Sequence, residues 1–147
     1  MNESAIRELS RLIPVEKRYD GVDPDVWIGG VGSYELALGY SLIFWPRFVE
    51  FENYVLREDF DLELLRGYEG SAPRWSLEAL VNHIHLGDIH YSADGSGDQL
   101  RYLGRILKEI YEVKLAHDFP DRRFTVEFND AVVDGWLDDD QLTFWQV

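Results

Sequence analysis

Three of the four histidines in this chain lie within eight residues, in the segment HIHLGDIH. The segment contains His83, His85, Asp88 and His90. Imidazole nitrogens and carboxylate oxygens are groups that commonly bind metals or transfer protons, so this cluster is the first place to look for chemistry. Two alternatives are open: His83 and His90 as metal ligands, or His85 and Asp88 as a catalytic pair.

The expected backbone of this segment argues against a metal site. Apolar residues at helical spacing predict a helix from residue 76 to about residue 90. On a helix, His83 and His85 point about 200° apart, and His83 and His90 lie roughly 10 Å apart along the axis. Zinc needs each nitrogen within about 2.1 Å, so we predict no metal, no cofactor and no stoichiometric zinc. Only an extended strand would place His83 and His85 on one face.

Asp88 is predicted to lie beside the apolar stripe of that helix. A carboxylate in such a position needs a partner that compensates for its lost hydration. His85, three residues earlier, is one candidate, and an arginine of a neighbouring helix is another. Because structural ion pairs are commoner than catalytic ones, we interpret Asp88 as structural and keep catalysis with His85 as the alternative.

Other motifs for catalysis or ligand binding are missing from the sequence. The glycine-rich residues 29–33 lack the G-K-[ST] of a P-loop, and residues 94–105 lack the glycine and the glutamate that an EF-hand needs. The chain has no cysteine, which excludes disulfides, thiolate metal sites and cysteine nucleophiles. It also has neither a serine nucleophile elbow nor an H-E-x-x-H helix.

The charge of the chain is informative about partners. Acidic residues number 28 and basic residues 14, which gives a net charge of −14. A surface of that sign repels phosphate backbones and anionic lipids, so nucleic acids and membranes are expected to be poor partners, and a basic protein is favoured. Charges interrupt residues 1–13, and the longest nearly uncharged stretch, residues 36–46, is too short to span a bilayer. A cytoplasmic location is therefore expected.

Two loop regions are the predicted contact sites for a basic partner. Residues 129–141 join the last two predicted strands and contain acids but no base. The residues of interest there are Asp130, Asp134, Trp136, Asp138, Asp139 and Asp140. Trp27 lies in the second region, residues 14–32, which is rich in turn residues. An aromatic side chain surrounded by acids matches the anchor and rim of a protein interface, and packing onto its own domain is the alternative.

The periodicity of apolar residues predicts the elements that position these sites. Helices are expected at residues 2–13, 34–45, 61–66, 76–90 and 98–118, and antiparallel strands at 124–128 and 142–146. Helix 34–45 is apolar nearly all round, which predicts a central place in the core. The last helix has the longest apolar stripe, with Leu103, Ile106 and Ile110 at its centre.

The expected fold is one α+β domain over residues 1–147, with about five helices and a C-terminal antiparallel hairpin. For residues 46–60, a helix tail and a third strand near Tyr54 are both open. We expect a small acidic bacterial interaction protein that binds and restrains a basic partner, and it is similar to toxin-neutralising immunity proteins in charge and size alone. The alternative is an enzyme or small-molecule-binding domain that uses His83, His85, Asp88 and His90.

Overall fold

The computed structural model describes residues 3–13, 23–90, 96–129 and 140–147. Within these ranges the chain forms six α-helices, one 3₁₀ helix and five strands in two antiparallel sheets. The predicted α+β class is therefore confirmed. Contacts along the chain group into two units, Met1–Ser41 and Leu42–Val147, and each is described by itself. The prediction of a single domain over residues 1–147 stays a prediction.

The first unit is helical in its described part. Helix α1 is Glu3–Leu12, as predicted, and α2 is Pro24–Val31. The prediction of an irregular loop over residues 14–32 is wrong for α2. The side chain of Asp23 accepts hydrogen bonds from the backbone N–H groups of Asp25 and Val26, and Pro24 at the first helical position has no N–H that would need an acceptor. This cap and proline start a helix in spite of the glycines that follow.

Helix α3, Tyr34–Phe44, runs from the first unit into the second. Its start is as predicted, because the hydroxyl of Ser33 accepts a hydrogen bond from the backbone N–H of Leu36 at 3.2 Å. Its predicted place at the centre of the core is wrong, since none of its residues is buried. An apolar pattern on all sides of a helix indicates that the helix is covered, but it does not say by what.

The second unit begins with a hairpin of two short strands. Strand β1, Phe48–Phe51, pairs antiparallel with β2, Tyr54–Arg57. Glu52 and Asn53 form the two-residue turn with φ angles of 49° and 72°. Two positive φ values give the backbone twist that suits a two-residue hairpin, and Asn tolerates this conformation better than most residues. A strand at Tyr54 is therefore present, but in a separate sheet from the C-terminal strands.

Three strands form the second sheet, in the order β3-β5-β4. Strand β4, Phe124–Phe128, and strand β5, Gln141–Gln146, pair antiparallel, which confirms the predicted hairpin. Strand β3, Ile84–His85, is the unpredicted third member and pairs with the start of β5. The central strand β5 is therefore paired with a strand on both edges only near its beginning, at Leu142.

Three helices of the second unit follow the hairpin. They are α4, Leu62–Tyr68; α5, Arg74–Val81; and α6, Gly97–Asp118. The predicted helix over residues 76–90 is wrong beyond Val81, because Asn82 ends α5, the next residues pair with β5, and Leu86–His90 forms the 3₁₀ helix. Helix α6 begins with a capping box between Ser96 and Gln99, so its cap lies two residues before the predicted cap at Asp98.

The main core lies between α6 and the sheets. Its buried members are Phe48, Val55, Leu86, Leu107, Tyr111, Leu115, Val126, Leu142 and Phe144. Of the residues predicted for the centre of the α6 stripe, Leu103 and Ile110 pack against this cluster from its edge. The helix approaches β4 so closely at Gly104 that a Cβ there would overlap the ring of Phe128. Glycine at this position therefore sets the distance between helix and sheet.

A buried polar network connects α5 to both sheets. Glu78 is fully buried, and its carboxylate accepts hydrogen bonds from the backbone N–H groups of Val55 at 3.0 Å and Gln146 at 2.7 Å. Asn82, also fully buried, accepts from the Arg57 N–H and donates to the carbonyls of Val55 and Phe144. These side chains occupy the edges of β2 and β5 where a neighbouring strand would otherwise pair.

Candidate functional site

His83 and His85 lie side by side, contrary to the prediction that they point apart. Because α5 ends at Val81, the backbone from residue 83 to 85 is extended rather than helical. Alternate residues of an extended chain share a face. The two imidazole ring centroids are 5.1 Å apart and the rings are nearly perpendicular, at 84°. The helical geometry that argued against a shared site for His83 and His85 therefore does not apply.

The histidine pair lines a pocket of about 330 Å³ in the second unit. The lining residues are Ile43, Arg57, His83, Ile84, His85, Asp88 and Ile89. Three elements supply the polar groups: the end of β2, the segment around β3, and the 3₁₀ helix. The pocket therefore combines guanidinium, imidazole and carboxylate groups with three isoleucines. Its volume lies at the lower end of the range for small-molecule sites.

A backbone contact orients the imidazole of His83. Its Nδ1 atom lies in hydrogen-bonding contact with the carbonyl oxygen of Leu80. A carbonyl oxygen only accepts, so Nδ1 carries the proton and Nε2 of the neutral ring is left with its lone pair. A ring held in this way presents Nε2 as a hydrogen-bond acceptor, a base or a ligand. Both histidines are partly buried, which limits how freely they turn.

Arg57 is the functional candidate that the sequence reading missed. Its side chain is 15% exposed, and Nη2 donates to Oδ2 of Asp59 at 3.0 Å. Its Nε is buried and has no hydrogen-bond partner among the described residues. A buried donor without a partner costs about 1–3 kcal/mol, so the fold does not use this guanidinium fully. Nothing local in the sequence marks Arg57, because the contact comes from a strand 26 residues before the first histidine of the pair.

The neighbourhood of Arg57 also contains a buried phenol. Burial raises the pKa of Tyr111 to about 12, although the positive charge of Arg57 lowers it. The hydroxyl group of Tyr111 donates to the backbone carbonyl of Ile43 at 3.0 Å. Tyr111 thus stays neutral at physiological pH and fixes one wall of the pocket, because Ile43 is a lining residue.

Asp88 lines the same pocket but does not occupy the buried position that the helical prediction gave it. It belongs to the 3₁₀ helix and is exposed. The predicted partners were His85 and an arginine of a neighbouring helix, whereas the arginine that shares its pocket comes from strand β2. An exposed carboxylate at the rim of a pocket is available to a ligand, because hydration rather than a buried ion pair stabilises its charge.

Metal binding has limited support in the described part of the chain. No group of three or more His, Asp or Glu residues within it could hold a metal ion together. The alternative pair of metal ligands was His83 and His90, and the side chain of His90 lies outside what the structure describes. His83 and His85 are the two imidazoles that the fold does bring together.

The predicted interface residues are mostly outside the described ranges. This holds for Asp130, Asp134, Trp136, Asp138 and Asp139. Asp140 is described, has a φ of 60°, and its carbonyl accepts a hydrogen bond from the Leu86 N–H. Trp27 lies on α2 and is partly buried. The structure thus shows Trp27 on a helix rather than in a loop.

A second candidate site is apolar and lies on α2 and on the start of α3. Six large apolar side chains there are each more than half exposed, and together we name them the α2–α3 apolar surface. They are Val26, Ile28, Val31, Tyr34, Leu36 and Leu38. The charged residues of the two helices are Asp25 and Glu35, both acidic. A hydrogen bond from its own backbone N–H lowers the pKa of Glu35, as does the hydroxyl of Ser33.

Within the described ranges, every helix is either too short or too polar to cross a bilayer. Comparison of the chain with models of known protein families, with characterised proteins and with solved structures found no match.

Proposed function

We propose that this chain is a small acidic interaction protein that binds and restrains a basic protein partner, with the α2–α3 apolar surface as its central contact. The observation that carries the proposal is the exposure of six large apolar side chains over residues 26–38, from 52% at Leu38 to 79% at Tyr34. Single exposed apolar side chains are ordinary on a protein surface, but six large ones within residues 26–38 favour a segment that another molecule covers.

The chemistry of this surface favours a protein as the occupant. Apolar area removed from water contributes about 25 cal/mol per Å², so six such side chains can supply substantial binding energy. An aromatic residue such as Tyr34 is a common anchor of protein interfaces, and the partly buried Trp27 lies on the same helix as half of the surface.

The sign of the charge favours a basic partner over a second copy. Helices α2 and α3 carry two acids and no base, and the whole chain has a net charge of −14. Two copies would repel each other, whereas a partner with basic residues around an apolar centre would be attracted at long range. The aspartates of residues 129–141, with Trp136, remain the proposed source of additional steering. A bacterial cytoplasmic location belongs to this proposal.

The test is a photo-crosslinking amino acid at position 38, followed by purification of the captured protein and measurement of its affinity. We expect a protein of net positive charge whose association slows as salt is added. The double variant Tyr34→Ser with Leu38→Ser should weaken binding by about 100-fold or more, because it removes two central apolar contacts. Both positions are exposed, so the fold should be retained, which circular dichroism verifies.

The matched control is Val113→Ser, which removes an apolar side chain that is 63% exposed on α6. This variant should bind the partner as well as the original chain does. Equal affinity of the Tyr34/Leu38 variant and the control would contradict the proposal. So would a homodimer in light scattering that the double variant converts to a monomer, because a second copy would then be the occupant.

A further inference from the structure

We infer that the pocket lined by Arg57, His83, His85 and Asp88 binds a small zwitterion of the amino-acid type. The carboxylate of the ligand would meet Arg57, and its ammonium group would meet Asp88 and Nε2 of His83. This inference goes beyond the proposed partner and does not depend on it, because the pocket and the α2–α3 apolar surface share no residue.

The guanidinium of Arg57 provides the anion-binding end. Arginine donates hydrogen bonds only, and its planar fork matches a carboxylate. The one ion pair that the structure shows for it, with Asp59, is to a carboxylate that is itself 71% exposed. The unpartnered Nε shows that donor capacity is left over among the described residues. A ligand carboxylate can share or replace the exposed Asp59 at this position.

Asp88 and His83, which line the same pocket as Arg57, provide acceptors. Asp88 is exposed and ionised groups of its type accept hydrogen bonds only. His83 donates through Nδ1 to the Leu80 carbonyl, so Nε2 of its neutral ring accepts. An ammonium group has three donors and no acceptor, which is complementary to this pair. The hydrogen-bonding capacity of the pocket is therefore mixed, with donors from β2 and acceptors from the segment after α5.

Charge decides between a zwitterion and a simple ion. Apart from the imidazoles, Arg57 contributes one positive charge, while Asp59 and Asp88 contribute two negative ones. A simple anion would therefore meet a negative local charge and also the net charge of −14. A simple cation would meet the positive charge of Arg57, which lines the same pocket. A ligand with no net charge but with both ionic groups satisfies each end without either penalty.

The remaining walls suit a small aliphatic or aromatic body. Ile43, Ile84 and Ile89 line the pocket beside the polar groups. A volume of about 330 Å³ accommodates an amino acid. The hydrogen bond from the Tyr111 hydroxyl to the Ile43 carbonyl and the pairing of Ile84 with Leu142 hold two of these walls in place.

The experiment uses the full chain and the twenty common amino acids, each added singly at about 10 mM, which would occupy most of a site with a Kd of about 1 mM. Imidazole proton and carbon resonances in NMR spectra report on the pocket. We expect at least one amino acid to shift the signals of His83 and His85 in a saturable manner. If none of the twenty does so, the inference is wrong.

Matched analogues then separate the two ends of the ligand. For leucine, isocaproate lacks the amine and isoamylamine lacks the carboxylate; the corresponding pair is used for whichever amino acid binds. Each analogue should bind at least about tenfold more weakly, since each leaves one charged group of the protein without a partner. An analogue that binds as tightly as the amino acid would overturn the inference and identify a simple anion or cation site.

Variants of exposed carboxylates complete the test without disturbing the core. Asp88→Asn should weaken amino-acid binding about tenfold, because it removes the charge that meets the ammonium group. Asp59→Asn should strengthen binding, because Asp59 competes with the ligand for Arg57. Asp121→Asn, an exposed carboxylate outside the pocket, should leave affinity unchanged. Equal effects of the variants at positions 88 and 121 would contradict the proposed contact.

Discussion

The α2–α3 apolar surface and the polar network of α5 are two regions in which burial is reversed relative to residue type. In the first, apolar side chains such as Tyr34 and Leu38 are exposed. In the second, the carboxylate of Glu78 and the amide of Asn82 are fully buried. Hydrophobic residues are usually inside and charged ones outside, so both regions require a specific explanation.

The difference lies in where the partners are. Glu78 and Asn82 find theirs within the chain, in the free edges of β2 and β5. The six apolar side chains of α2 and α3 remain exposed in the described structure. A residue that contradicts the usual burial rule therefore points either to an internal network or to an external contact. Substitutions that change stability identify the first kind, and substitutions that change binding alone identify the second.

The largest loss of stability is expected for Glu78→Leu. The substitution leaves the N–H groups of Val55 and Gln146 buried without an acceptor, at about 1–3 kcal/mol each, so a total of about 2–6 kcal/mol is expected. Urea unfolding measures the change. Glu109→Leu, at an exposed position of α6, is the control and should stay within about 0.5 kcal/mol. Similar small losses for both variants would mean that the network contributes no more than a surface glutamate.

A leucine pair tests the comparison from the apolar side. Leu107 of α6 is fully buried, and its truncation to alanine should cost about 2–5 kcal/mol. The same truncation of Leu38, which is half exposed, should cost less than about 1 kcal/mol. Of the positions predicted from the sequence, Leu103, Ile106 and Ile110 are only partly buried, and we expect their losses to lie between these two. A large loss of stability for Leu38→Ala would show that this side chain stabilises the fold in spite of its exposure.

Two glycines should respond to alanine with opposite signs. At Gly104 a Cβ overlaps the Phe128 ring, so Gly104→Ala should cost about 1–3 kcal/mol through strain. At Gly39, in α3, a Cβ meets no other atom of the described chain within 4 Å, so Gly39→Ala should stabilise by about 0.5–1 kcal/mol through helix propensity. Thermal unfolding measures both changes. A smaller side chain at position 128 should relieve the loss at Gly104 but not affect Gly39.

The ion pair between Asp118 and Lys114 should make stability depend on pH, with a smaller effect than the substitutions above. Burial raises the pKa of Asp118, but hydrogen bonds from Lys114 and His117 outweigh it and hold the pKa below the ordinary value of 3.8. A carboxyl group whose pKa is lowered in the folded state stabilises the fold at pH values above its unfolded-state pKa. This stabilisation is lost as the pH falls through the folded-state pKa. Asp118→Asn should therefore cost about 0.2–1 kcal/mol at pH 7. When the free energy of unfolding is measured against pH, the curves of the original chain and of Asp118→Asn should converge below about pH 4. A constant difference between them down to pH 2 would exclude the ionised Asp118 as the cause.

The smallest change in stability is expected for the loop variant that combines Trp136→Ala with asparagine at positions 138, 139 and 140. The free energy of unfolding should be unchanged within about 0.5 kcal/mol, because Asn tolerates the positive φ at position 140. Binding to the partner captured at position 38 should become weaker and less dependent on salt. If both stability and binding are unchanged, and binding was insensitive to salt before, the loop does not take part in the interaction.

The sequence predicted those parts of the fold in which local pattern and environment agree. Helix α6 and strands β4 and β5 have the periodicity expected for one buried face, and all three are where the pattern places them. The α2 helix was missed because its glycines and proline resemble a loop, whereas a single capping aspartate and a proline at the first position were sufficient to start it.

The pocket was less predictable, because it depends on contacts between distant segments. His83 and His85 were singled out by residue type, but their predicted helical geometry was wrong, since pairing with β5 overrides the helical periodicity after Val81. Nothing in the sequence indicated Arg57, because the first histidine that shares its pocket lies 26 residues further along the chain. Glu78 also looks like an ordinary helical glutamate, and only the edges of two sheets make its buried position possible.

The network around α5 also has a consequence for the order of folding. Its hydrogen bonds join residues far apart in the chain: 64 positions separate Thr143 from Ala79, 68 separate Gln146 from Glu78, and 93 separate Gln146 from Asn53. Contacts of such long range form slowly, whereas a helix of 22 residues such as α6 can form from neighbours alone. In pulse-labelling hydrogen exchange, the amides of α6 should therefore become protected before those of β5, and the two sheets should become protected together.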